Sequence, residues 1–254
     1  MAEEKSTALA EKKETFSVML TNSLTEVEDA LPRDFNKTRF VQNAVALLNE
    51  NDTLSTFAKS HGTTQIKMGL LKGAYLGLDF VSSEAYLIPY GSKLQFMPSY
   101  RGCVKLAQKY SIRPIKDIYA KVVRAGDQFI EKIVDGQPTI DFLPLPFNDA
   151  EIIGAFAVCQ FVDGGMQYDV MNRKALDQTR KASKMANGPA WKFEEEMFKK
   201  VVLRRLTKHI QIDFDSPEQY KYFNEEAQIN TDEKPKTASM NALLMDESEV
   251  VDEQ

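Results

Sequence analysis

Histidine is scarce in this 254-residue chain: His61 and His209 are the only two, so a histidine-rich metal centre or a histidine relay lacks its raw material. Only two cysteines occur, Cys103 and Cys159, far apart and outside any CxxC pair. A disulfide framework and a zinc site are both disfavoured, and each cysteine reads as a small core residue. No stretch reaches the roughly eighteen uninterrupted apolar residues of a membrane span. The opening MAEEKSTALAEKKETF carries charge where a secretory signal needs an apolar run, so the expected location is the cytoplasm. GxxxxGK[ST], GxGxxG, HExxH and GxSxG are all missing. That removes the common phosphate cradle, zinc helix and nucleophile elbow, and argues against ATP-driven chemistry.

What the chain does contain is ordinary for a globular protein, 43% hydrophobic and 27% charged, enough for one large domain or two small ones. The net charge of -5 conceals a segregation. Residues 1–30 hold three Lys against seven Asp/Glu, and residues 231–254 hold two Lys against seven acids. Between them, 93–124 carries eight Lys/Arg and one Asp, 125–172 carries one Lys and eight acids, and 173–209 carries eleven Lys/Arg and four acids. Solvated surfaces usually mix their signs. Two basic blocks around an acidic one therefore point towards a polyanionic partner.

The apolar periodicity sets the architecture. A loosely ordered amphipathic lead is expected over 1–30, then a helix over 36–49 with Phe40, Ala44, Leu47 and Leu48 on one face. A second helix starts with Thr63 or Thr64 as N-cap and ends before Gly77; Gly69 and Gly73 within it suggest close approach by another backbone. AYLIPY and KLQFMP alternate around Gly91-Ser92 as a hairpin, and from residue 101 the period becomes helical. Cys103, Leu106, Ala107 and Tyr110 share one side of that helix, and Arg101, Lys105 and Lys109 the other. IKDIYAKVV, QFIEKIV, PTIDFL, IIGAFAVCQFV and MQYDVM read as an antiparallel meander with turns at Asp135-Gly136 and Asp163-Gly164-Gly165. Asn172 caps a further helix, and a last long one runs through WKFEEEMFKKVVLRRLTKHI. Its buried side is expected at Phe198, Val202, Leu206 and Ile210 together with Leu203, with Lys200, Arg204 and Lys208 as a second basic row. Strands with helices segregated before and after them give an α+β fold. The expected domains are a helical lead over 1–34 that serves oligomer contacts, a core over 35–227, and a disordered acidic tail over 228–254.

Cations at i, i+4 and i+8 are spaced about 6 Å per step along the helix axis, a spacing suited to phosphates on an extended strand. A single such row is as readily a solvated helix face. Two rows beside aromatics tilt the balance: Tyr86, Tyr90, Phe96 and Tyr100 stand near the first, and the lone Trp191 near the second, where rings could support bases. Acid pairs such as Asp213 and Asp215 read as a solvated turn.

GLDFVSSEAYLIPYG, YRGCVKLAQKY, the strand-rich middle and PAWKFEEEMFKKVVLRRLTKHI, in that order and spacing, resemble the phage RecT family of single-strand annealing proteins, with Redβ more distant. The resemblance covers about residues 35–212. It implies ATP-independent binding of single-stranded DNA and annealing of complementary strands by a ring or helical filament of subunits, with a basic groove holding both backbones. It also implies a small antiparallel sheet with a hairpin and flanking helices, partners in a phage exonuclease and a host single-strand-binding protein, and no membrane contact. No cofactor is implied, Mg²⁺ acting only through the DNA. Carried onto this chain, the DNA-binding residues are Lys93, Arg101, Lys105, Lys121, Arg124, Lys200, Arg204 and Lys208, with Arg180, Lys181, Lys184 and Trp191 as further candidates. A rival reading is a metal-dependent nuclease or other phosphoryl-transfer enzyme in which Asp141, Asp149 and Glu151 converge; a third is a structural phage component.

Overall fold

The structure is a computed structural model that describes residues 16–182 and 189–232. Within these the chain forms two compact units, one of residues 16–102 and 214–228 and the other of residues 103–182, 189–213 and 229–232. The fold is α+β, as the sequence pattern requires.

Unit one is mainly helical. Helix α1 covers 16–26 of the described residues and buries Phe16, Leu20 and Leu24, so the second half of the lead is a core helix and not the loose segment expected. Apolar side chains four apart fall on one helical face, which explains the burial. Helix α2 (Lys37–Glu50) is capped by Asn36, whose side chain accepts from the Arg39 N–H at 2.9 Å. Asn51 does the same for Leu54 at 3.0 Å and opens α3 (Asp52–His61), a helix the periodicity did not disclose. Helix α4 (Thr64–Leu76) stops at left-handed Gly77, φ 66°.

Strands β1 (Ala85–Tyr90) and β2 (Lys93–Pro98) form the anticipated hairpin, with Tyr90 opposite Lys93 across Gly91-Ser92. One hairpin face packs on α4. A Cβ on Gly69 would lie 2.5 Å from Leu87 Cδ2, and one on Gly73 2.6 Å from the Phe80 ring. The glycine pair therefore admits side chains, where the sequence suggested a backbone. Phe40, Phe80 and Phe96 continue the core as a chain of edge contacts with centroids 6.1 Å apart at each step. Helix α5 (Tyr100–Tyr110) begins in unit one and continues into unit two.

Unit two contains β3 (Ile115–Arg124), β4 (Gln128–Val134), β5 (Gln137–Leu143), β6 (Ile152–Phe161) and β7 (Met166–Asn172), then helices α6 (Arg173–Lys181) and α7 (Glu194–Thr207). The meander is only partly realised. The three-stranded sheet has the order β3-β6-β7, while β4 and β5 pair with each other as a separate ribbon. Phe129, Ile140 and Phe142 explain the departure: they set an apolar ribbon face onto Phe156 and Val158 of β6, so the ribbon stacks on the sheet and does not extend it. Its turn has φ 50° at Asp135 and 76° at Gly136, the pairing that two-residue hairpins favour.

The opposite sheet face, with Ala155, Ala157 and Cys159, is covered by Phe198, Val202 and Leu206 of α7. In unit one, the part of α8 (Pro217–Asp232) up to Gln228 docks through Gln219, whose Nε2 donates to the Tyr75 carbonyl at 3.0 Å, and through stacking of Tyr222 on Tyr75 at 5.0 Å. Residues 228–232, expected in the tail, belong to this helix. Residues 1–15, residues 183–188 with the candidate Lys184, and residues 233–254 lie outside the described residues. Among the described residues no helix is long and apolar enough to cross a membrane.

Candidate nucleic-acid interface

Strand register decides which side chains the hairpin offers. Leu87 and Phe96 face the core, so Tyr86, Ile88, Tyr90, Gln95 and Lys93 share the other face. Lys93 is exposed and the tyrosines are half-buried, while Phe96 is core, which removes it from the aromatics expected to meet bases. Arg101 is exposed in the first turn of α5; its Nε donates to Tyr100 Oη at 3.2 Å and its guanidinium stands 5.9 Å from the Tyr100 ring. That hydrogen bond, with smaller help from Tyr86, holds Arg101 above the ordinary arginine range. Tyr86, Tyr100 and Arg101 thus cluster where the hairpin meets the helix, while Lys93 stands at the hairpin tip opposite Tyr90.

The same helix start is fastened to the loop before the hairpin. Ser99 Oγ donates to the Ser83 carbonyl at 2.7 Å, and the Ser99 N–H donates to the Glu84 carbonyl at 2.9 Å. Glu84 Oε2 accepts from the Asp79 N–H at 2.8 Å. A Cβ on Gly102 would lie 2.1 Å from the Glu84 carbonyl oxygen, closer than any side chain can come. GLDFVSSE and YRG are therefore one packed junction, and their order in the sequence reflects that contact.

Along α5 the wheel reading holds. Cys103, Leu106, Ala107 and Tyr110 are buried, Arg101 and Lys109 are exposed, and Lys105 is half-buried. Lys109 Nζ stands 5.3 Å from the Tyr110 ring centre.

The second row does not form. Arg204 is only 3% exposed, Lys200 is half-buried, and Lys208 alone of the three is exposed, at the C-terminus of α7. Besides the expected Phe198, Val202 and Leu206, α7 buries Met197 and Val201, and Arg204 falls beside them. A wheel drawn for one covered side cannot foresee a second.

Trp191 is likewise core, 4% exposed, edge-on to Phe198 at 5.8 Å and covered by the Arg180 guanidinium at 5.0 Å. It cannot support a base. Arg180 also pairs with Glu194 at 2.9 Å, the carboxylate that Arg173 holds at 3.0 Å. Arg124 is a clamp: Nη2 meets Glu195 at 2.7 Å and Nη1 donates to the Ala150 carbonyl at 2.7 Å. Lys181 is exposed at the end of α6.

Lys121 is exposed on the ribbon side of the sheet. With Asp117 it borders a cleft of about 570 Å³ whose walls are Tyr119, Phe142, Phe156 and Met166. Asp141 pairs with Lys132, and among the described residues no three of His, Cys, Asp and Glu stand close enough to hold a metal. The convergence of carboxylates that a nuclease reading needs is thus not found there. Burial pushes the Cys159 thiol up to about 11, as suits a core residue.

The sequence profile of the RecT family matches residues 38–238. Protein RecT of Escherichia coli (strain K12) is 33% identical over 198 residues, which cover 72% of this chain and 70% of that protein. With the junction motifs in place and most of the chain matched, this protein belongs to the RecT family, the single-strand annealing proteins of DNA recombination.

Proposed function

We propose that the protein binds single-stranded DNA without ATP and anneals complementary strands as an oligomer. The observation that carries this reading is helix α5, whose row of Arg101, Lys105 and Lys109 stands opposite a buried apolar face and begins beside Tyr100 and Tyr86. Cations at this spacing engage phosphates and leave base edges free to test pairing, so sequence preference is slight. Neutralising both backbones lowers the repulsion that keeps two strands apart. Lys208 extends the candidate set; Arg124, Arg180, Arg204 and Trp191 leave it, since each is built into the protein interior or its ion pairs.

Each subunit holding a few nucleotides, strong retention follows from many subunits on one strand. Whether the assembly is a ring or a filament, the basic surfaces of successive subunits must follow the strand as a groove. A phage exonuclease and a host single-strand-binding protein are the proposed partners, in the bacterial cytoplasm.

The test is sequential addition of two complementary labelled oligonucleotides to the nucleotide-free protein, read by energy transfer between the labels. Faster transfer than without protein is expected, with none for non-complementary pairs. No acceleration, or cleavage of the oligonucleotides in Mg²⁺, would overturn the reading.

A further inference from the structure

Phe147 is fully exposed, with a relative accessibility of 103%, and its backbone has φ 56°, a region that a residue with a β-carbon enters only when its surroundings hold it there. The surroundings are explicit. The Asp127 carboxylate accepts from the Leu145 N–H at 3.0 Å and from Asn148 Nδ2 at 2.8 Å, Asn148 Nδ2 also reaches the Ala125 carbonyl at 3.1 Å, and Arg124 fixes the Ala150 carbonyl. An aromatic ring is thus presented to solvent on a loop pinned at both ends.

The same unit carries an unfilled counterpart. The cleft between ribbon and sheet is walled by Tyr119, Phe142, Phe156 and Met166, and its volume of about 570 Å³ is in the range that holds small apolar ligands. Charge supports the match: residues 143–151 carry Asp149 and Glu151 and no Lys or Arg, both acids are exposed, and Lys121 is exposed on the cleft rim. Asp117, also on the rim, repels these acids and so restricts the approach to the Lys121 side.

We infer that Phe147 of one copy seats in the ribbon–sheet cleft of a second copy, giving a head-to-tail contact between subunits. The head-to-tail arrangement leaves one plug and one socket of each pair open, so the contact propagates, closing into a ring or continuing as a filament according to its rotation. The inference rests on the oligomeric reading above and names the surfaces responsible for it. A single aromatic anchor buries little area, so the contact is weak for one pair and accumulates along an assembly.

The full chain without DNA is followed by sedimentation velocity across a concentration series. Phe147→Ala, in a side chain that touches nothing, is expected to retain the circular dichroism of the parent and to weaken self-association about 30-fold, as loss of a central anchor does. Replacing Phe147 by photoreactive p-benzoylphenylalanine and irradiating should yield cross-linked dimers mapped to the peptides bearing Tyr119, Phe142 or Met166. Unchanged association of Phe147→Ala, cross-links outside the cleft, or transfer of the label to an added oligonucleotide would overturn the inference. Annealing is measured separately, so a failure of DNA binding leaves this result readable.

Discussion

Replacing Lys93, Arg101 and Lys109 together by glutamine tests where the DNA lies. All three are exposed, on the hairpin and the solvent side of α5, so their loss removes charge without opening the core. For single strands the logarithm of affinity falls with that of salt with a slope of about 0.7 per phosphate neutralised, so the triple variant should lose about 2.1 from its slope. Between 50 and 200 mM salt that amounts to about an 18-fold smaller change in affinity. The measurement is fluorescence anisotropy of a labelled oligothymidine titrated at several salt concentrations, with parent and variant melting curves compared beforehand. Arg124→Gln also removes one charge, yet Arg124 is engaged by Glu195 and Ala150, and its slope should stay within about 0.3 of the parent's. A triple variant with the parental slope, or an Arg124 variant that loses as much per charge, would refute the placement of DNA on this surface.

Gly102→Ala should destabilise the fold by more than about 3 kcal/mol, because a carbonyl oxygen of the backbone stands where the methyl must go; thermal melting reads this, and a normal melt would deny the junction its tightness. Trp191→Ala should cost about 3–5 kcal/mol in the same assay, whereas Trp191→Phe should bind oligonucleotide as the parent does. A Phe variant of normal stability and impaired binding would return Trp191 to the DNA. Acid should release the 143–150 loop: burial opposes the Asp127 charge, but its hydrogen bonds from Arg124 N–H, Asn148 and Leu145 N–H outweigh this and hold it below the ordinary aspartate range. The folded state thus favours the ionised form, so the contribution is complete above the ordinary value of about 3.9 and fades as pH falls through the lower folded value. Hydrogen exchange at Leu145 should accelerate over that acid range in the parent, while Asp127→Asn should lack this acid step.

Local signals were legible where local chemistry decides the outcome. Gly91-Ser92 and Asp135-Gly136 fixed two hairpins, Gly77 ended α4, and Asn172 capped α6 by accepting from the Ala175 N–H at 2.9 Å. The wheel of α5 was legible because that helix has one buried side. Arg204 and Trp191 were misplaced for the opposite reason: Trp191 is covered by Arg180 and Phe198, Arg204 lies beside the buried Met197 and Val201, and a lysine-arginine row reads alike on a solvated helix and on one with so wide a buried side. The stacking of β4 and β5 was hidden too, since Phe129 and Phe142 alternate in the same way whether the ribbon lies beside the sheet or on top of it. Phe147 gave no signal at all, because nothing in its neighbours foretells a left-handed backbone.

The tight seat of Gly102 against the Glu84 carbonyl has a mechanical consequence. If α5 spaces phosphates as proposed, that ruler is only as good as its zero mark, and the mark is bolted to the loop that leads into the tyrosine hairpin. Any pull along a bound strand that tugs on Arg101 is passed to β1 at once, so ring and charge shift as a single part and their offset survives the strain of drawing two strands together.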